Sequence, residues 1–270
     1  MHKAIEKRIS VRSYEKKALN DSDQIKIKTL LEAAEKKRGP YNNQVRFFFV
    51  ENTNENGSKI GTYGFVKNPP AFIGGIVKND FKGMVDFGFL FEEVILRLTE
   101  LDLGTVWLGG TFNRKDFNVD VGKKEIIAAV SPVGYVTNKS INEKIIRSFV
   151  RADKRKPFDE LFFMGHDLQQ LDKDHKFHKY LEAVQSGPSA SNKQPWRVVL
   201  IDDTFHIYLK RTKGYGNALK LDIQAIDIGI ALSHLYLTLK EDNYSLVFIE
   251  EKPLDLEDAE YIISIKSNKA

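Results

Sequence analysis

The chain contains no cysteine in 270 residues. It can therefore form no disulfide, no thiolate zinc site and no iron–sulfur cluster, and it has no cysteine nucleophile. Long apolar runs are also lacking: the longest, at 71–77, is far shorter than the roughly 20 residues that a membrane-spanning helix requires. The N-terminal residues contain no apolar signal core. We therefore expect a soluble, cytoplasmic protein without a membrane partner.

An excess of charge of either sign is missing as well. Lys and Arg number 41 against 37 Asp and Glu, a formal net charge of +4 at pH 7. This small surplus gives no reason to expect nucleic acid as a partner. Hydrophobic residues make up 42% of the chain, which is enough for a buried core and excludes a disordered or collagen-like polypeptide.

Two long apolar helices are predicted, at 84–103 and 219–239. They share a short pattern, because Val-Asp-Phe-Gly-Phe at 85–89 aligns with Ile-Asp-Ile-Gly-Ile at 226–230. Each is preceded by an apolar helix, a loop that contains Pro and ends in Gln44 or Gln194, and a strand. The identities are few, so a chance similarity of two apolar helices is the alternative. The repeat predicts a duplicated chain whose halves cover each other's helix, as two subunits would.

The other predicted elements follow from caps, alternation and breakers. Asn20, Asp21 and Ser22 offer caps for a first helix that is expected to end before Gly39. Residues 126–136 are predicted as a helix-to-strand passage broken at Pro132 and Gly134. A helix is expected at 177–184, and strands at 45–50, 71–77, 197–201, 205–209, 246–249 and 261–265.

Four segments carry side chains or backbone that suit a ligand. In Arg8-Ile9-Ser10-Val11-Arg12, alternate residues share one side of an extended chain, so two guanidinium groups and a hydroxyl converge, as a phosphate requires. The other three are a glycine turn at 104–110, a basic segment at 151–157 and a polar loop at 187–196. Alone, the first three also have a plain structural explanation, as a solvated terminus, a tight turn and a charged surface. The polar loop has too many hydrogen-bonding side chains to be only a turn.

Together the segments resemble the FMN-dependent nitroreductase family, in the branch where one polypeptide holds two nitroreductase-like halves. The resemblance implies an α+β, nitroreductase-like fold with a central, mainly antiparallel sheet flanked by helices, internally duplicated as a pseudo-dimer. Half one is expected at 1–163 and half two at 164–270, intertwined as one compact unit. The matching pieces occur in family order at 8–14, 103–110, 131–135, 155–158 and 188–196.

The resemblance further implies one flavin site shared between the halves. Half one would supply the phosphate side and the N5 side. Arg8, Ser10 and Arg155 would hold the phosphate, Arg12 would lie near the ribityl chain and the N1/O2 edge, the backbone of Gly109 and Gly110 would face N5, and Trp107 would form the pocket wall. Half two would reach over with Pro188, Ser189, Ala190, Ser191 and Asn192.

The same resemblance suggests one complete site and not two. The counterpart loop of half one, at 39–44, has lost the serines, and half two has no Trp-x-Gly-Gly turn. No clear match exists for the Asn and Lys that many relatives place against the flavin pyrimidine. His175 and His178 lack a third ligand, so no metal is expected.

The expected function is that of an FMN-dependent NAD(P)H oxidoreductase, with ping-pong hydride transfer through flavin N5 to a small nitro- or quinone-like acceptor. The chemistry would lie on the flavin and not on a catalytic side chain. NAD(P)H would be a transient co-substrate, in keeping with the lack of a Gly-x-Gly-x-x-Gly motif. The alternatives are a flavin storage or sensing protein without efficient turnover, and another flavin reaction such as dehalogenation or flavin cleavage. A monomer acting as a pseudo-dimer is expected, with higher association left open.

Overall fold

The computed structural model of the chain describes residues 2–52, 60–137 and 155–269. A short helix, α1 (His2–Lys7), precedes the elements of half one. These run in the order helix, two strands, helix, two strands: α2 (Asp21–Glu35), β1 (Arg46–Glu51), β2 (Ala71–Lys78), α3 (Phe81–Glu100), β3 (Leu103–Thr105) and β4 (Glu125–Tyr135). The four strands form an antiparallel sheet in the order β1-β2-β4-β3.

Half two repeats this order of elements. After α4 (Phe158–Leu161), β5 (Phe162–Met164) and β6 (Gln169–Gln170) come α5 (His178–Gln185), β7 (Trp196–Ile201), β8 (Thr204–Leu209), α6 (Ile223–Glu241), β9 (Tyr244–Ile249) and β10 (Glu260–Lys269). Its sheet, β6-β5-β7-β8-β10-β9, contains β7-β8-β10-β9, the same arrangement as β1-β2-β4-β3. The predicted α+β class with antiparallel sheets and flanking helices is confirmed. Across the described residues, the strands divide into two sheets, one for each half.

An irregularity in the strands is repeated as well. The pairing of β2 with β4 shifts by one residue at Ala128, and the pairing of β8 with β10 shifts by one residue at Ile262. A β-bulge is a specific local feature, and its recurrence at equivalent strands is hard to obtain by chance. The repeated topology and the repeated bulge support the internal duplication that the two helices suggested.

The two long helices cross where their backbones touch. A Cβ atom on Gly88 of α3 would lie 2.3 Å from the carbonyl oxygen of Ile226, and one on Gly229 of α6 would lie 2.1 Å from that of Val85. Only glycine permits this approach. The contact is reciprocal, because Gly88 is equivalent to Gly229 in the repeat and Val85 is equivalent to Ile226. Equivalent residues meet in the same way at the interface of a symmetric dimer. Each half thus buries the other's apolar helix.

The end of half one joins the sheet of half two. Phe162–Met164 of β5 pairs in parallel with Val198, Val199 and Leu200 of β7. The predicted boundary after residue 163 therefore falls within β5, and the division of the chain at that residue stays a prediction. Residues 151–154 of the predicted basic segment lie outside the described residues.

Capping side chains begin two of the helices, and the first long helix starts at Phe81, three residues before its predicted start at 84. The side chain of Asn20 accepts a hydrogen bond from Asp23 N, and that of Asp80 accepts one from Gly83 N. The sequence predicts that the first long helix extends to residue 103, and this end is wrong. It ends at Glu100, and Leu103 begins β3 after Asp102 adopts a left-handed conformation at φ 61°. Among the described residues, no helix has the length and apolarity that crossing a membrane would require.

The prediction of a broken passage at 126–136 is wrong, since β4 is one strand of 11 residues. Val130 exchanges both backbone hydrogen bonds with Leu108. Residue 132, two positions further along the strand, directs its amide position to the same side, towards the stretch between Thr105 and Leu108. β3 ends at Thr105, opposite Val133. No ladder bond is required of residue 132, which is why proline is tolerated inside this strand.

Candidate functional site

The N-terminal arginine segment lies along β3. Ser10 forms a parallel bridge with Thr105, and Val11 N donates to Thr105 O at 2.8 Å. Ile9 and Val11 pack against the core beside β3. Because side chains alternate in extended backbone, the even-numbered residues face the other side. Along that side, exposure increases from Arg8, which is buried, through Ser10 to Arg12.

Arg8 is the unusual member of this segment. Its side chain is only 4% exposed, and its Nε lies 3.9 Å from Glu92 Oε1, too far for a hydrogen bond. Among the described residues, Nε and Nη1 of Arg8 have no hydrogen-bond partner. Burial lowers the pKa of Arg8, while the nearby Glu92 opposes that effect. A buried guanidinium with unpaired donors is costly unless an anion completes its shell. The site therefore fits a phosphate.

Glu92 of α3 connects Arg8 with the glycine turn and with half two. Its Oε2 accepts a hydrogen bond from Trp107 Nε1 at 2.7 Å, and its Oε1 lies 2.9 Å from Nε2 of His234 on α6. His234 Nδ1 lies 2.7 Å from Ala183 O on α5. Glu92 and His234 are both fully buried. Neither Glu92 nor His234 was predicted as a site residue from the sequence, because no motif surrounds either.

The glycine turn has a fixed orientation. Arg114 Nη2 donates to Gly109 O at 2.9 Å, and its Nε donates to Ile127 O at 2.9 Å. Since a trans peptide points its N–H opposite to its C=O, the Gly110 amide faces away from Arg114. Neither the Gly109 nor the Gly110 amide makes a hydrogen bond within the described part of the chain. These amides are suitable donors for a ligand. Arg114 was not predicted, since an isolated arginine gives no signal.

Half two closes against this turn. A Cβ on Gly109 would lie 2.7 Å from Ile223 Cδ1, and one on Gly110 would lie 2.9 Å from Leu219 Cδ2. Asn79 of half one donates from Nδ2 to Lys220 O at 3.0 Å and so holds the approaching segment. The two residues that touch the turn were missed because they were assigned to a helix from 219, whereas α6 begins at Ile223.

The polar loop of half two is held by its own helix and by itself. Ala190 N donates to Asp227 Oδ1 at 2.9 Å, and Gln194 N donates to Ser189 Oγ at 2.9 Å. Ser191, Asn192 and Gln194 have positive φ angles of 48°, 57° and 47°. Pro188, Ser189 and Ala190 are half-buried, whereas Ser191 and Asn192 are exposed. The loop thus presents short polar side chains at the surface.

Arg155 contacts this loop. Its Nη1 donates to Gly187 O at 2.6 Å and to Asn192 Oδ1 at 3.3 Å, and its Nη2 donates to Ser186 O at 2.8 Å. These bonds satisfy carbonyls at the end of α5. The structure therefore brings Arg155 together with Asn192, one of the residues predicted for the loop of half two.

A cleft is formed by the segment that leads into α6 and by the first turn of that helix. It has a volume of about 380 Å³ and is lined by residues of 211–224. Its lining includes Leu219 and Ile223, which touch the glycine turn, and Tyr215, whose hydroxyl donates to Ser191 Oγ at 2.8 Å. A volume of this size is within the range of small-ligand sites.

Fold and site together define an α+β protein of two similar halves. Near their junction lie a buried arginine that suits an anion and two glycine amides that make no hydrogen bond within the described residues. The sequence profile of the family described as "Putative TM nitroreductase" matches residues 1–239. The chain belongs to this nitroreductase family. A comparison with curated proteins finds no significant match.

Solved structures with the same kind of fold include one of matching length. A protein from Thermotoga maritima described as a "putative nitroreductase" is 21% identical, with a TM-score of 0.61, and the match covers 98% of this chain and 92% of that one. A nitroreductase family protein from Clostridium novyi NT is 20% identical over 51% of this chain and 87% of that one, with a TM-score of 0.40. One from Desulfovibrio desulfuricans, in complex with FMN, is 21% identical over 50% and 86%, with a TM-score of 0.40.

Proposed function

We propose that the chain binds one FMN between its two halves and acts as an NAD(P)H oxidoreductase on a small nitro- or quinone-like acceptor. Membership of the nitroreductase family supports the class of reaction. The observation that carries the proposal is Arg8, a buried guanidinium whose Nε and Nη1 lack partners among the described residues. An organic phosphate would supply the missing acceptors. We further propose that a single chain, acting as a pseudo-dimer in the cytoplasm, is the working unit.

The roles that we assign follow the geometry of each segment. Arg8 and Ser10 would bind the phosphate, and Arg12, the exposed end of the segment, would lie towards the ribityl chain and the N1/O2 edge. Trp107 would form the wall, and the amides of Gly109 and Gly110 would donate to N5. The loop of half two would cover the other side with Pro188, Ser189, Ala190, Ser191, Asn192 and, through its bonds to that loop, Arg155.

The protein's contribution to the reaction is binding and electrostatics. When bound, FMN supplies the ability to accept a hydride from a nicotinamide and pass reducing equivalents to an acceptor. Arg12 would favour negative charge at the N1/O2 edge. Arg114 holds the Gly109 carbonyl, so the neighbouring amide stays directed at the ligand. Leu219 and Ile223 exclude water from the turn on the side of half two.

The activity can be tested with purified protein loaded with FMN. Loss of the flavin absorbance on addition of NADH or NADPH, and its return on addition of a nitroarene or a quinone, is the expected result. A flavin-loaded protein that does not react with either nicotinamide would contradict the enzymatic proposal and indicate storage or sensing. A melting temperature that FMN does not raise would contradict flavin binding itself.

The phosphate assignment is tested by Arg8→Ala. Because one charge-assisted contact contributes about 1.5–3 kcal/mol, FMN should bind roughly 10- to 100-fold more weakly. Riboflavin has the same ring without the phosphate, so its affinity should stay the same. Arg38→Ala is the matched control, since Arg38 is exposed and its side chain donates to the carbonyls of Glu35 and Lys37. Unchanged FMN affinity in Arg8→Ala would contradict the assignment.

A further inference from the structure

A buried polar chain runs behind Arg8 from half one to half two. Glu92 lies at its centre, with Arg8 Nε at 3.9 Å and His234 Nε2 at 2.9 Å from the same carboxylate oxygen, Oε1. Trp107 Nε1 donates a hydrogen bond to the other carboxylate oxygen, Oε2, at 2.7 Å. None of the motifs in the sequence includes Glu92 or His234, and the roles proposed above do not use them.

The hydrogen bonds of His234 determine how many protons the pair with Glu92 carries. A carbonyl oxygen only accepts, so His234 Nδ1, 2.7 Å from Ala183 O, must carry a hydrogen. The contact between Nε2 and Glu92 Oε1 then needs a further proton, on either the imidazole or the carboxyl group. In both arrangements the pair of Glu92 and His234 is neutral overall. The single positive charge that remains in this cluster belongs to Arg8.

We propose that His234 is a positioning residue that neutralises Glu92 and so keeps Arg8 available for the FMN phosphate. This inference rests on the proposed function. Without the proton that His234 supplies, a buried carboxylate within 4 Å would attract Arg8 strongly, because charges interact more strongly away from water. Arg8 would then pair with Glu92 and lose its attraction for a phosphate. Half two would thus contribute to phosphate binding through a residue that does not touch the phosphate.

The geometry around Arg8 supports this arrangement. If Arg8 and Glu92 formed an ordinary ion pair, the guanidinium would donate to the carboxylate at about 2.8 Å. Instead, both oxygens of Glu92 are bonded by Trp107 and His234, and Arg8 Nε stays at 3.9 Å. The pKa of Arg8 is lowered, because burial disfavours the charged guanidinium by more than the nearby Glu92 favours it. This agrees with a guanidinium that is not fully paired with Glu92.

The test compares the affinities of FMN and riboflavin for four forms of the full chain: wild type, His234→Gln, Glu92→Gln and the double variant. Glutamine at 234 can still donate to Glu92 but brings no charge. In His234→Gln, the preference for FMN over riboflavin should fall about tenfold, the loss expected for one charge-assisted contact. Glu92→Gln should keep or increase the preference, and the double variant should restore it.

The results distinguish the proposed role of His234 from a purely structural one. A purely structural role of His234 would weaken FMN and riboflavin equally, and Glu92→Gln would not rescue it. An unchanged preference in His234→Gln, or a reduced one in Glu92→Gln, would overturn the proposal. If His234→Gln does not fold, Glu92→Gln alone still tests it. A wild-type protein without preference for FMN would instead contradict the proposed function.

Discussion

The two halves hold their equivalent loops in different ways. In half one, Asp86 accepts from Tyr41 N at 2.9 Å and from Asn43 N and Nδ2, each at 2.8 Å, so both carboxylate oxygens are used. In half two, Asp227 accepts from Ala190 N alone, and within the described residues its Oδ2 is buried without a partner. The aspartate of the helix therefore holds the first loop at two residues and the second loop at one.

The two β-bulges opposite these loops also differ, in which side chain donates to the carbonyl oxygen at the bulge. The Ile262 carbonyl at the bulge of half two accepts from Tyr41 OH at 2.8 Å, so a side chain of the first loop fills that corner. The Ala128 carbonyl at the bulge of half one accepts from Arg114 of its own half at 3.3 Å. The second loop has short polar side chains in place of a tyrosine. The comparison gives a physical reason to expect one ligand site in the chain, at the corner that no tyrosine occupies.

Substitutions at the helix crossing should destabilise the fold to a similar extent in either half. Gly88→Ala and Gly229→Ala would each place a Cβ within 2.3 Å of a backbone carbonyl oxygen, so each should destabilise the fold by about 3 kcal/mol. The double variant should cost less than the sum, because one separation of the helices relieves both clashes. Denaturant unfolding measures this. Stabilisation, as in an exposed helix, would contradict the close crossing.

The two aspartates should respond differently. Asp86→Asn replaces one of two accepting carboxylate oxygens with an NH2 group, so at least one of the three hydrogen bonds is lost in either orientation of the amide, and the free energy of unfolding should fall by about 2 kcal/mol. Asp227→Asn can keep the bond from Ala190 and removes a buried carboxyl group, so it should change stability by less than about 0.5 kcal/mol or increase it. Equal losses in the two variants would remove the distinction between the loops.

The pH dependence of the Asp227→Asn variant adds a second readout. Burial raises the pKa of Asp227 well above its ordinary value of 3.8. The unfolded chain therefore releases this proton at lower pH than the folded one, and the contribution of Asp227 to the free energy of unfolding falls as pH rises above that value. Asparagine does not titrate, so the stability of the variant relative to wild type should increase between acid and neutral pH.

The smallest expected effect concerns the loop residues themselves. Asn192 and Asn42 both have left-handed backbone, at φ 57° and 62°, so alanine at either position carries a similar conformational cost. Asn192→Ala should weaken FMN binding by about 1 kcal/mol, the contribution of one hydrogen bond, whereas Asn42→Ala should not. Titration of both variants with FMN measures the difference. An equal response would argue that the halves do not share one pocket.

Much of the local structure could be predicted because its causes are local. Asn20 caps α2, and the continuous apolar run at 71–77 predicted a strand, which the structure places at Ala71–Lys78 with seven of its eight residues buried. The prediction for 126–136 was wrong because proline was treated as a breaker, whereas the neighbouring strand ends before it would need the amide of Pro132. The exposure of Ile25, at 63%, shows that periodicity alone does not assign every apolar residue to the core.

By itself, the sequence determined many of the helices and strands and the repeat, since caps, periodicity and short patterns act over a few residues. The class of fold followed from the family resemblance, and the segments assigned to a phosphate-bearing ligand stay a prediction. Only the tertiary structure decided that Glu92 meets His234, that Arg114 orients the Gly109 carbonyl, and that Tyr41 fills one of two equivalent corners. These contacts join residues of different elements, in two cases from different halves. Their geometry depends on how the two glycine-lined helices cross, which no local pattern specifies.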